Sequence, residues 1–216
     1  GFDIVSNQFS IHYFFEKPST LNNFLRNVTE CCKVGGYFIG TCYDGKRVFN
    51  TLRNKNVDES ITIMQDSKKM WEIQKNYSQT EFDDDETSLG HQISVYQESI
   101  NKTFPEYLVN FDYLTRLIEN YGFTPITQDE AKQMGFISGI GSFQLLYRKM
   151  NFDMKKSSNK KKLYGSAPDL NANEKKISFL NNYFIYKKRR PVNGEAVYNS
   201  IVKTKTKAKK KIRFKK

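Results

Sequence analysis

Residues 2–42 constrain the fold most strongly, because they read as strand, helix and strand in direct succession. Phe2-Asp3-Ile4-Val5 is an apolar start that gives way to polar Ser6-Asn7-Gln8. It predicts a buried strand leading into a short irregular segment up to Phe15. Pro18-Ser19-Thr20 then opens a helix, with Leu21, Phe24, Leu25, Val28 and Cys32 recurring at helical spacing and Ser19 or Thr20 placed to cap it. Gly35-Gly36 is expected to stop that helix, and Tyr37 to Cys42 form a second strand before the Asp44-Gly45 turn. Two strands joined through a helix pair in parallel by a right-handed crossover. The expected class is therefore α/β, with a mixed, mainly parallel sheet and flanking helices.

Further elements follow the same logic. A short helix is expected near 46–55. A polar stretch with weak alternation then ends in Asp83-Asp84-Asp85-Glu86, read as a solvated loop. His91 to Tyr96 alternates like a strand. Phe104-Pro105-Glu106 is expected to lead into the clearest helix, Tyr107 to Tyr121, whose apolar face is Leu108, Phe111, Leu114, Leu117, Ile118 and Tyr121, stopped by Gly122. Phe123 to Ile126, Phe143 to Tyr147 and Ile177 to Tyr186 are strand candidates. Residues 151–173 are Lys/Ser/Asn-rich and read as a mobile loop. Gly139-Ile140-Gly141 lacks a third glycine and a following helix, so it reads as a loop, not a phosphate cradle.

Charge divides the chain unevenly. Of 216 residues, 35 are Lys or Arg and 23 Asp or Glu, a formal net charge of +12. Residues 1–150 hold 15 basic and 19 acidic residues, net −4; residues 151–216 hold 20 basic and 4 acidic, net +16. A neutral-to-acidic globule with a cationic extension fits this better than a uniformly basic coat protein. The extension, 191–216, is expected to be disordered, and its cations read either as a solvated face or as a contact for a polyanion. No run approaches the ~18 apolar residues of a membrane-spanning helix, and the N-terminus shows no signal peptide. Cys31, Cys32 and Cys42 are too few for a disulfide framework and none sits in a CxxC; with only His12 and His91 no metal cluster is expected, and a reducing, intracellular setting follows.

Three separated segments stand out: Phe2-Asp3-Ile4-Val5-Ser6 followed by Gln8-Phe9-Ser10-Ile11-His12-Tyr13-Phe14-Phe15-Glu16, then Gly35-Gly36-Tyr37-Phe38-Ile39-Gly40-Thr41, and Pro105-Glu106-Tyr107-Leu108-Val109. In these segments the chain resembles the messenger RNA cap guanine-N7 methyltransferases, most closely the methyltransferase region of large-DNA-virus capping enzymes. Glu174 through Tyr186 is similar to the family's last strand in its viral form. These segments span about residues 2–190. The resemblance implies the C-terminal part of a Rossmann-like class I methyltransferase fold over 1–190, with 46–104 as a cap-side insertion. The family's glycine-rich methyl-donor loop, and the acidic residue that holds the adenosine ribose, have no counterpart in this sequence. Tyr43 stands where many cellular members have proline.

The implied activity is methyl transfer from S-adenosylmethionine to guanine N7 of the 5′ cap, within a larger enzyme that also has triphosphatase and guanylyltransferase domains. In-line transfer to an available lone pair needs no general base, nucleophile or metal; positioning does most of the work. By resemblance, Glu106 accepts from the guanine edge and stabilises the charge that develops on the ring. His12 donates to the guanine carbonyl, Phe9, Tyr13 and Tyr183 wall the pockets, and Gln8, Phe9 and Tyr13 contact S-adenosylmethionine. Read without the resemblance, His12 is a structural hydrogen-bonder, Glu106 a helix-start charge and Tyr183 a core residue. The other functional readings are a non-catalytic RNA-binding or stimulatory subunit with a methyltransferase-like fold, and a small-molecule methyltransferase.

Overall fold

The computed structural model describes residues 1–156 and 163–203. Strands β1 (Phe2–Gln8) and β2 (Cys32–Tyr43) pair in parallel across helix α1 (Pro18–Cys31). Pro18 takes the first helical turn, where its missing N–H is no loss. Leu21, Leu25 and Val28 point into the core. Thr20 Oγ accepts from Lys17 N–H at 3.3 Å, so the cap position is Lys17, two residues earlier than Ser19. The glycine pair does not end the helix, which stops at Cys31. It lies inside β2, where Phe2 faces Cys32 but Ile4 already faces Tyr37. The extra residues bulge out through Gly35, at φ +82°.

β1 is not a buried strand. It is hydrogen-bonded to β2 on one side only among the described residues, and Phe2 and Ile4 are 69% and 56% exposed. β9 (Asn181–Lys188) runs antiparallel to β2, and the short β7 (Phe123–Pro125) and β8 (Ile140–Ser142) share its other edge. The strand order is β1-β2-β9-β7, with β8 beside β9. The sheet is mixed and the class α/β, as expected, but its parallel pairing is confined to β1 and β2; the remaining described pairs are antiparallel.

Residues 46–104 build most of a second structure against this sheet. Asp44 caps α2 (Gly45–Thr51), accepting from the Lys46 and Arg47 N–H groups. β3 (Ser60–Gln65), β4 (Lys68–Lys75), β5 (Gln92–Gln97) and β6 (Lys102–Tyr107) follow as an antiparallel meander. Trp71, Ile73, Ile93 and Val95 pack its inner face against Val48 and Leu52 of α2 and its C-cap. β6 corrects the expected helix start: 102–107 is extended, and α3 (Phe111–Asn120) begins only after Asn110, whose side chain accepts from Asp112 and Tyr113 N–H. The acidic run is tied down locally. Asp84 pairs with Lys46 at 2.6 Å, and Asp85 accepts from Thr87 N–H at 2.8 Å.

Four further expectations change. Phe143 to Tyr147 opens helix α5 (Phe143–Lys156), because Ser142 Oγ accepts from Leu145 N–H and Phe143, Leu146 and Met150 share one face. Ile177 belongs to α6 (Ala172–Ser178), so the last strand begins at Asn181. Within the expected loop 151–173, residues to 156 complete α5 and Ala172 opens α6; residues 157–162 lie outside the described residues. α4 (Gln128–Gln133), capped by Thr127 and Glu130, closes the sheet's other face. Past Pro191 the chain stays folded through Lys203. α7 (Gly194–Tyr198) docks on α1 through an Arg26–Glu195 pair at 2.7 Å, and Val197 and Ile201 pack on the core. The rest of the expected tail, 204–216, lies outside the described residues. No described helix is long and apolar enough to cross a membrane.

Candidate functional site

Where the two sheets meet, beyond the carboxyl end of β1, a cavity of about 510 Å³ opens. Carboxyl ends of sheet strands are where α/β folds place ligands. Three chain segments converge there. The turn after β1 contributes Phe9, His12 and Tyr13, the end of β2 contributes Cys42 and Tyr43, and the second sheet contributes Val95, Gln97, Phe104 and Glu106. Ile177 and Asn181 close the remaining side.

The turn is set by backbone geometry. Phe9 adopts φ 51°, a left-handed conformation unusual for a bulky side chain, while its N–H donates to Thr41 O at 2.8 Å. The chain then coils into a 3-10 turn, Ile11–Glu16, anchored by buried Ile11 and Phe15, which carries His12 into the cavity wall. Phe9 and Tyr13 remain 55% and 48% exposed, so two aromatic faces stay open to a ligand. Tyr13 stands edge-on to His12, with ring centres 4.2 Å apart.

Glu106 comes from β6, opposite Ile93 of β5. Side chains alternate across a strand, so Phe104 and Glu106 share the inner face that Ile93 and Val95 also occupy. A carboxyl in this apolar position is only 9% exposed. His12 Nδ1 lies 3.6 Å from Glu106 Oε2, ion-pair range but too long for a hydrogen bond. The spacing alone points to an ion pair; burial argues against one. Desolvation pushes the Glu106 carboxyl up to about 7 and the His12 imidazole down to about 4. At neutral pH the histidine is therefore uncharged and the carboxyl is close to half-ionised. His12 Nε2 is buried with no hydrogen-bond partner among the described residues.

Tyr43 forms the floor near Trp71, whose Nε1–H donates to the Tyr43 hydroxyl at 3.0 Å. Burial pushes that hydroxyl up to about 12, so it stays protonated.

Of the residues singled out in the sequence, the structure brings Phe9, His12, Tyr13 and Glu106 to one cavity and leaves two outside its lining. Gln8 is exposed at the end of β1, donating to Ser6 Oγ at 3.0 Å and accepting from Thr41 Oγ at 2.8 Å. Tyr183 lies on β9 beside Phe136, its hydroxyl donating to Ser138 O at 3.0 Å. Sequence reasoning missed Val95, Gln97 and Phe104. The two-residue steps Ile93, Val95, Gln97 and Phe104, Glu106 were the available signal.

The domain model of the mRNA (guanine-N(7))-methyltransferase family matches residues 1–189. The chain is 27% identical over 210 residues to the probable mRNA-capping enzyme of Acanthamoeba polyphaga mimivirus, a match covering 89% of this chain and 18% of that protein. It is 33% identical over 129 residues to the mRNA cap guanine-N(7) methyltransferase of Saccharomyces cerevisiae, covering 58% of this chain and 29% of the relative. The chain thus spans less than a third of the length of these relatives. The solved CcbJ methyltransferase of Streptomyces caelestis overlaps 88% of this chain and 58% of its own, with 10% identity and a TM-score of 0.46. By the match over residues 1–189, the chain belongs to the mRNA (guanine-N(7))-methyltransferase domain family.

Proposed function

We propose that the cavity holds the guanine of an mRNA 5′ cap, and that this chain forms the guanine side of methyl transfer from S-adenosylmethionine to N7, within a larger capping enzyme that also has triphosphatase and guanylyltransferase domains. The observation that carries this reading is a buried carboxyl facing a neutral imidazole between open aromatic faces. Guanine presents two N–H donors on one edge and a carbonyl acceptor beside them. The Glu106 carboxylate accepts from those donors. His12, uncharged and with an unpartnered nitrogen, donates to the carbonyl. Phe9 and Tyr13 cover the base. Other bases are rejected because they leave Glu106 or His12 buried and unpaired.

Methylation leaves positive charge on the ring, so an ionised Glu106 nearby stabilises the transition state more than the ground state. The residues present fit one side of the methyl donor. Gln8 offers an exposed amide at the end of β1, and the Phe9 and Tyr13 faces suit a cationic sulfonium. When bound, that group supplies an activated methyl; this chain's residues orient the acceptor and exclude water. Tyr183 enters as a support beneath β2, paired opposite Thr41.

Trp71, the single tryptophan, touches the cavity floor through Tyr43 and serves as an internal probe. Titration with GpppA or GTP is expected to change its emission saturably, and ATP at the same concentration is not. An equal response to ATP, or none to either guanine ligand, overturns the reading. The non-catalytic alternative predicts guanine binding without methyl-donor binding in the intact protein.

A further inference from the structure

We propose that α5 and α6 form a track for the single-stranded RNA that follows the cap, an inference that rests on the cap reading above. A groove of about 390 Å³ crosses α5 between Arg148 and Lys155, floored by Tyr147, Asn151 and Phe152. Phe152 is 56% exposed, an aromatic face that no core contact requires. Lys156 Nζ lies 4.3 Å from its ring centre, and Lys175 Nζ lies 5.0 Å from that of Tyr147. Among the described residues, Arg148, Lys155, Lys156, Lys175 and Lys176 form no ion pair, whereas Lys149 is paired with Asp153 at 2.6 Å. Cations without carboxylate partners interleaved with open rings are what a strand of phosphates and bases requires: the rings stack bases and the cations meet phosphates. A base on Phe152 frees Lys156 for the backbone.

The track is continuous with the cavity. Phe143, which opens α5, stands edge-on to Phe9 in the cavity wall at 6.3 Å between ring centres. Ile177 of α6 lines the cavity itself. Phe179, two residues beyond Ile177, lines the groove on α5 and packs on Tyr147 with ring centres 5.5 Å apart, so the segment that closes the cavity also closes the groove. The chemistry reads phosphate and ring faces, not sequence.

The test measures binding of a fluorescein-labelled, uncapped 12-nucleotide RNA to the full chain by anisotropy across a range of KCl concentrations. Phe152→Ala is expected to weaken binding roughly fivefold or more with little change in salt dependence, and Phe152→Trp to retain it. The double variant Arg148→Glu with Lys155→Glu is expected to flatten the salt slope by about 0.7 for each phosphate that the chain no longer neutralises. The Trp71 response to GTP stays unchanged in all three. RNA affinity and salt slope equal to the parent chain in both Phe152→Ala and the double variant overturns the track and leaves the face to another partner. Loss of RNA binding in these variants, with no Trp71 response to guanine nucleotides in any protein, keeps the track and rejects the cap reading.

Discussion

Glu106 Oε2 lies 3.6 Å from His12 Nδ1, and burial drives both groups toward neutrality, raising the carboxyl to about 7 and lowering the imidazole to about 4. This is not how a protein arranges a stabilising ion pair. A buried acid with no donor in hydrogen-bond range among the described residues, beside a buried nitrogen with no partner, is the observation on which the proposal of a guanine ligand rests.

The role of Glu106 is read first from rate. In the intact enzyme, Glu106→Ala is expected to lower kcat on capped RNA by roughly a hundredfold or more, the scale of one charge-stabilising contact worth about 2–4 kcal/mol. Affinity for the methyl donor should be nearly unchanged. Near-normal kcat in the variant would reduce Glu106 to a strand residue.

Stability should move the other way. The folded carboxyl titrates near 7 against an ordinary 4.5, so the folded state holds the proton more tightly. Glu106 thus favours folding at low pH, and that contribution is lost as pH rises from about 4.5 to 7. Glu106→Gln never ionises. It should be more stable than the parent by up to about 3 kcal/mol at pH 8 and equal to it near pH 4.5. Chemical denaturation at the two pH values checks this. A variant less stable at pH 8 would mean that the carboxylate has a protein partner.

Guanine affinity should depend on pH through the same group. Only the ionised carboxyl accepts two N–H donors, so the dissociation constant measured by Trp71 emission should rise roughly tenfold per pH unit below about 7. His12, held near 4, does not titrate in the range 5.5–8. Glu106→Gln should bind weakly at every pH with no such slope. A parent chain whose affinity is flat from pH 5.5 to 8 would remove Glu106 from the guanine contact.

Much of this architecture is legible in the sequence because it is local. The spacing of Leu21, Leu25 and Val28, and of Leu114, Leu117 and Ile118, fixes two helices whatever surrounds them. Phe143-Gln144-Leu145-Leu146-Tyr147 misleads because a five-residue apolar run has no period long enough to separate helix from strand, and the deciding Ser142 cap lies outside it. Pro105 hides β6, since proline argues against a strand; it is tolerated because β6 pairs only with β5 among the described residues. The meeting of His12 with Glu106 is beyond any local pattern. Two sheets separate them in sequence and join them in space, so only the resemblance could anticipate the pair.

Tyr43 decides whether the cavity floor is chemical or structural. Its hydroxyl is engaged by Trp71 Nε1–H at 3.0 Å, and burial keeps it protonated. Tyr43→Phe removes the acceptor and leaves a buried indole N–H unpaired, which should destabilise the fold by about 1–3 kcal/mol. Because the hydroxyl already serves Trp71, guanine affinity should stay within about twofold of the parent, less than the loss of a net hydrogen bond worth about 1 kcal/mol. Thermal unfolding and a GTP titration followed by calorimetry separate the two effects. A stable variant that loses guanine binding would make Tyr43 a ligand contact, and the floor would then read the base directly.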